Sequence, residues 1–61
     1  MDVSMQLEVI PKVFIHVKTD VGYSFAIAER AQPTILLEEV VRKLRRVEYR
    51  CRRIVIEIEV E

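Results

Sequence analysis

The spacing of apolar residues changes period twice along this chain, which limits the elements it can build. From Leu7 to Lys18 apolar and polar side chains alternate. Leu7, Val9, Val13, Ile15 and Val17 fall on one face, and Glu8, Lys12, His16 and Lys18 on the other, the pattern of a half-buried strand. The same period returns in Tyr23, Phe25 and Ile27. Between the two runs lie Thr19, Asp20, Val21 and Gly22, and the only glycine of the chain supplies the positive φ that a tight turn needs, so a β-hairpin is expected. Leu36, Leu37, Val40, Val41, Leu44 and Val47 then recur at helical spacing. Thr34 after Pro33 is the expected N-cap, with a helix from Ile35 to about Glu48. Its apolar stripe is expected to cover the sheet. Ile54, Ile56, Ile58 and Val60 finally point inward, with Val55, Glu57, Glu59 and Glu61 outward, in a third strand.

The resulting order is β-β-α-β. The hairpin reverses the chain and the helix reverses it again, so a right-handed crossover sets the third strand beside the first. An α+β fold follows: one domain over residues 1–61, a three-stranded antiparallel sheet in the order 2-1-3, and one helix on one face. Pro11 cannot donate a ladder hydrogen bond, so a bulge or kink is expected there, and residues 1–10 can form an extended arm. On the sheet face away from the helix, Ile10, Phe14, Ala26 and Val55 are too apolar for a surface that meets only water. These four are the candidate interface.

Size gives that interface a purpose. A 61-residue domain buries only about 60% of the surface its unfolded chain exposes, so its stability is expected to need a supplement. Cys51 is the one cysteine and His16 the one histidine, which rules out an intrachain disulfide and leaves no metal-ligand motif. Oligomerisation is the supplement that remains. A homodimer is the expected form, and a subunit role in a larger protein complex fits the same residues. One layer of core leaves little interior to hollow into a pocket, so no enzyme, catalytic residue or cofactor is expected. Without asparagine, and rich in Ile, Val, Glu and Arg, the composition matches that of thermostable proteins. No apolar run is long enough for a membrane span or signal peptide, so a cytoplasmic protein with a reduced thiol and no membrane partner is expected.

Charge supplies the second candidate. Ten basic and ten acidic residues cancel, yet seven of the ten basic ones lie between Arg42 and Arg53. In a helix reaching Glu48, Arg42, Arg45, Arg46 and Tyr49 share the face opposite the apolar stripe, and Arg50, Arg52 and Arg53 continue beyond it. Such a stripe contacts nucleic-acid phosphates and stacks a base on its tyrosine. It serves equally as a solvated face, with cations placed favourably at a helix C-terminus and Glu38 and Glu39 four residues before Arg42 and Lys43 as ion-pair partners. Net neutrality favours the solvated face. Glu57, Glu59 and Glu61 are expected to pair across strands with Lys12, His16 and Lys18 rather than to bind a cation. Cys51 between two arginines is expected to be filler rather than a reactive thiol. The expectation is a non-enzymatic module that associates with itself through its sheet face, with phosphate binding by the arginine cluster as the alternative.

Overall fold

The computed structural model describes residues 10–61, and the expected arm lies almost wholly outside them. Strand β1 is Lys12–Thr19, β2 is Ser24–Arg30, helix α1 is Pro33–Leu44, a 3₁₀ turn covers Glu48–Arg50, and strand β3 is Ile54–Val60. The sheet order is β2-β1-β3, with β1 antiparallel to both neighbours. The protein is thus a small α+β domain with the expected topology.

The hairpin closes on the anticipated turn. Gly22 has φ 88°, a conformation costly for any residue with a Cβ. Thr19 ties the turn together: its hydroxyl donates to the Tyr23 carbonyl at 2.7 Å and accepts from the Tyr23 N–H at 3.2 Å. At the other end of β1, Pro11 sits one residue before the strand rather than in a bulge. Its carbonyl still accepts from the Ala31 N–H at 3.1 Å, so the missing proline donor costs only one terminal rung.

Helix α1 departs from expectation at both ends. Gln32, not Thr34, is the N-cap, and it makes no side-chain capping bond. Pro33 takes the first helical turn, where its fixed φ is preorganised and its absent N–H removes a donor that has no intrahelical acceptor. The residue before a proline is held extended, and Gln32 is extended, at φ -67° and ψ 134°. The helix ends at Leu44 instead of Glu48. The chain then tightens, with the Val47 N–H donating to the Leu44 carbonyl at 3.0 Å and the Arg50 N–H to the Val47 carbonyl at 2.9 Å. These three-residue bonds keep Val47 in the core while ending the α-helical path.

Among the described residues the core is Val13, Ile15 and Val17 of β1, Ile27 of β2, Leu36, Val40 and Leu44 of α1, and Val47 after it. No residue of β3 belongs to it. Ile56, Ile58 and Val60 do take the inner parity, opposite Val17, Ile15 and Val13, but remain 42%, 43% and 52% exposed. The expectation that they are buried fails for a geometric reason. One helix is about 10 Å across, two strand spacings already take about 9.6 Å, and the inner side chains of the outer strands splay beyond that. Burial falls off toward β3, Ile27 of β2 being buried where Ile58 of β3 is not, and on the β2 side Lys43 Nζ lies 5.6 Å from the Phe25 ring centroid. The far strand is left half open.

Candidate functional site

The outer sheet face is built in rows fixed by register. Phe14 lies between Ala28 and Glu59, His16 between Ala26 and Glu57, and Lys18 between Ser24 and Val55. Two alanines beside a half-buried phenylalanine leave a shallow depression at the centre, floored by Ala26, Ala28 and Phe14 and rimmed by His16, Glu57 and Glu59. Lys12 reaches along the face, its Nζ 5.4 Å from the Phe14 ring centroid. Of the four expected interface residues, Phe14 and Ala26 therefore meet in one patch. Val55 stands one row away beside Lys18, and Ile10 lies exposed before β1 begins. The charges around the patch are of both signs. His16 Nδ1 is 3.9 Å from Glu57 Oε1, the only approach of a basic side chain to a carboxylate within 4 Å among the described residues. The further pairings expected of Lys12 and Lys18 with the glutamates do not form: Glu59 faces Phe14, and Lys18 faces Val55.

The arginine cluster is not one stripe. Because α1 stops at Leu44, only Arg42 is helical and Arg45 is its C-cap, while Arg46 lies in the turn and Tyr49 and Arg50 in the 3₁₀ segment. The basic residues divide into two groups that share Arg42. Arg42 and Arg45 line a groove with Leu37, Glu38 and Val41. Arg42, Lys43 and Arg46 surround Tyr23 on the other flank. Tyr49 is 79% exposed and has Arg50 5.8 Å from its ring centroid, so its ring is partnered by an arginine. Arg52 and Arg53 act first through their backbone: the Arg52 N–H donates to both carboxylate oxygens of Asp20, and the Arg53 carbonyl accepts from the Asp20 N–H. The expected Glu38–Arg42 and Glu39–Lys43 ion pairs are not closed, and Lys43 lies on Phe25 instead.

Cys51 is half-buried against the core and its Sγ donates to the Val47 carbonyl at 3.2 Å, as a packing residue does. The described residues contain no group of three or more His, Cys, Asp or Glu side chains arranged to hold a metal, and no helix among them is long and apolar enough to cross a membrane.

A third surface escaped sequence reasoning. At about 100° per residue, Leu37 and Val41 lie to one side of the buried Leu36, Val40 and Leu44 stripe, and Glu39 and Lys43 to the other. Lys43 fixes its side toward β2, so the Leu37 and Val41 flank turns toward β3. Val41 on that flank is half exposed, as are Ile56, Ile58 and Val60 on the inner parity of β3. One signal was available in sequence: a single helix must cover three strands, and it has one stripe with which to do so. No protein-family model, curated protein or solved structure matches this chain.

Proposed function

We propose that the protein is a non-enzymatic interaction module that associates with itself through its sheet. The observation that supports this most is the half-exposed aliphatic row of Ile56, Ile58 and Val60, in a fold whose core is otherwise a single layer. Burying a large aliphatic side chain fully is worth about 1.5 to 3 kcal/mol, so covering the remaining half of three of them contributes about 2 to 4 kcal/mol per chain. That is a large fraction of the stability of a small domain. The outer face adds Phe14, Ala26 and Ala28 as a second apolar area, rimmed by charges that can select a partner orientation. Light scattering after size exclusion is expected to give a mass above 7.2 kDa that survives high salt. Phe14→Glu is expected to reduce that mass and lower the melting temperature if the outer face is buried in the assembly. A mutant equally associated and equally stable excludes that face from the contact.

One observation favours a second role for the same module. Among the described residues, no ion pair occupies the side chains of Arg42, Arg45, Arg46, Arg50, Arg52 or Arg53. Their charges are therefore available to phosphates, with weak sequence preference and a steep loss of affinity on adding salt. Arg42→Glu with Arg46→Glu is expected to abolish retention of the protein on a single-stranded oligonucleotide at low salt. Wild-type protein that fails to bind under those conditions ends this second role.

A further inference from the structure

The backbone of β3 alternates in direction as well as its side chains. The Glu61 N–H donates to the Lys12 carbonyl at 2.9 Å, and the Asp20 N–H donates to the Arg53 carbonyl at 3.3 Å. In an antiparallel ladder such bonds belong to every second residue, so the odd-numbered residues of β3 turn their backbone groups toward β1. The N–H and C=O groups of Ile54, Ile56, Ile58 and Val60 consequently point to the free edge. Natural edges are usually blunted by charged side chains, lysine above all, or by proline, a bulge or a covering loop. Strand β3 reads IVIEIEV: it contains neither proline nor lysine, and its charges, Glu57 and Glu59, both lie on the outer face, which leaves its inner row without one. At the opposite edge, Lys43 lies over Phe25 of β2, so the inner side of that strand is partly covered.

We propose that β3 pairs antiparallel with β3 of a second copy, about a two-fold axis at Ile56, joining the two sheets into one. This rests on the reading that the protein associates with itself, and it names the edge and the register. Matching apolar faces requires even-numbered residues to oppose even-numbered ones, since a one-residue slip sets isoleucines against glutamates. Three such registers bring Ile54 to Ile58 near the axis. Centring on Glu57 puts that carboxylate directly against the partner's Glu57 in a closely spaced pair, which is repulsive. Centring on Val55 also sets Arg53 opposite the partner's Glu57, but it places Ile58 opposite the partner's Arg52 and so makes one isoleucine pairing fewer than centring on Ile56, where Val60 takes that end position. Centring on Ile56 sets Ile54 opposite the partner's Ile58, Val55 opposite the partner's Glu57, and Arg53 opposite the partner's Glu59. The symmetry gives two Arg53 to Glu59 pairs, and this charge complementarity selects a second copy as the occupant. Both helices then lie on the same side of the joined sheet, and the two half-open isoleucine rows become neighbours.

Cysteine pairing tests edge and register together. In a Cys51→Ser background, Val55→Cys and Glu57→Cys chains are mixed and oxidised with oxidised glutathione. Residues 55 and 57 form a non-hydrogen-bonded pair, about 4.5 Å between Cα atoms and within disulfide reach. The expected result is a cross-linked heterodimer in the mixture and little product from either variant alone. Cross-linking of Glu57→Cys alone, or of Val55→Cys alone, overturns the register. A dimeric mass with no cross-link in any mixture overturns the edge contact and leaves self-association standing, whereas a monomeric mass at all concentrations removes both. Charge reversal supplies an independent check. Arg53→Glu is expected to weaken the dimer about tenfold or more, since two attractive cross-strand pairs become repulsive, and Glu59→Arg in the same chain is expected to restore it. An Arg53→Glu protein of unchanged dimer affinity overturns the register. Hydrogen exchange of the unmodified protein is expected to show protected amides at Ile54, Ile56 and Ile58. Rapid exchange of these three in the associated state overturns the proposal.

Discussion

Asp20 joins parts of the chain that no local pattern connects. Both oxygens of its carboxylate accept from the Arg52 N–H, at 3.2 and 3.1 Å, across 32 residues of sequence. Its own N–H donates to the Arg53 carbonyl, so the hairpin turn and the entry to β3 are fastened at one residue. The contact is exposed, which places its worth below that of a buried charge-assisted hydrogen bond: Asp20→Ala is expected to cost about 1 kcal/mol in urea unfolding. Asp20→Asn retains an acceptor and is expected to cost less than the alanine variant. Equal stability of wild type and Asp20→Ala would show that the fastening does not form in solution. Sequence identified Asp20 as a turn residue, because it lies in the short segment Thr19–Gly22 between two alternating runs, and Gly22 because it can supply the positive φ the turn needs. It held no trace of the bond to Arg52. That partner exists only because the crossover brings β3 alongside β1, and the bond uses a backbone N–H that every residue except proline carries.

At the scale of elements, alternation specified more than the strands themselves. It placed the side chains of Lys12–Lys18, Ser24–Ala28 and Ile54–Val60 on their observed faces, because a period of two leaves no freedom once register is set. It missed that β2 continues through Glu29 and Arg30, whose polar side chains read as a connection. It did not specify depth. Ile15 and Ile58 face each other across β1 and β3 and have the same inner parity, yet Ile15 is fully buried and Ile58 nearly half exposed. The difference lies in what stands above them, and that depends on where the helix rests rather than on either strand. The helix itself was legible in its stripe and not in its ends. Pro33 outweighed the capping preference of Thr34 by fixing the first turn, and the tightening after Leu44 satisfied the same burial of Val47 that a longer helix would have given. The arginine stripe was lost with those last turns. A face drawn at 100° per residue has meaning only while the α-helix continues, and Arg46 and Tyr49 lie past its end.

For the whole molecule, the half-open strand and the marginal size make one quantitative demand. If a second copy completes the burial, the folded state is a dimer, and its stability includes the concentration of its partner. Raising protein concentration a hundredfold then adds about 2.7 kcal/mol per dimer, or about 1.4 kcal/mol per chain. For a domain of this size that corresponds to a rise in melting temperature of about 5 to 10 °C. Added salt separates the contributions. The two Arg53 to Glu59 pairs lie at the surface, where about 1 M salt shortens the Debye length to about 3 Å, so their contribution fades while apolar burial persists. The concentration dependence is therefore expected to survive high salt with little loss. Calorimetry across two decades of concentration, at low and high salt, checks both statements. A melting temperature fixed across that range describes a self-sufficient monomer with an exposed aliphatic row, and the case for self-association then fails. A dependence present only at low salt assigns the association to the Arg53 to Glu59 pairs rather than to the isoleucines of β3.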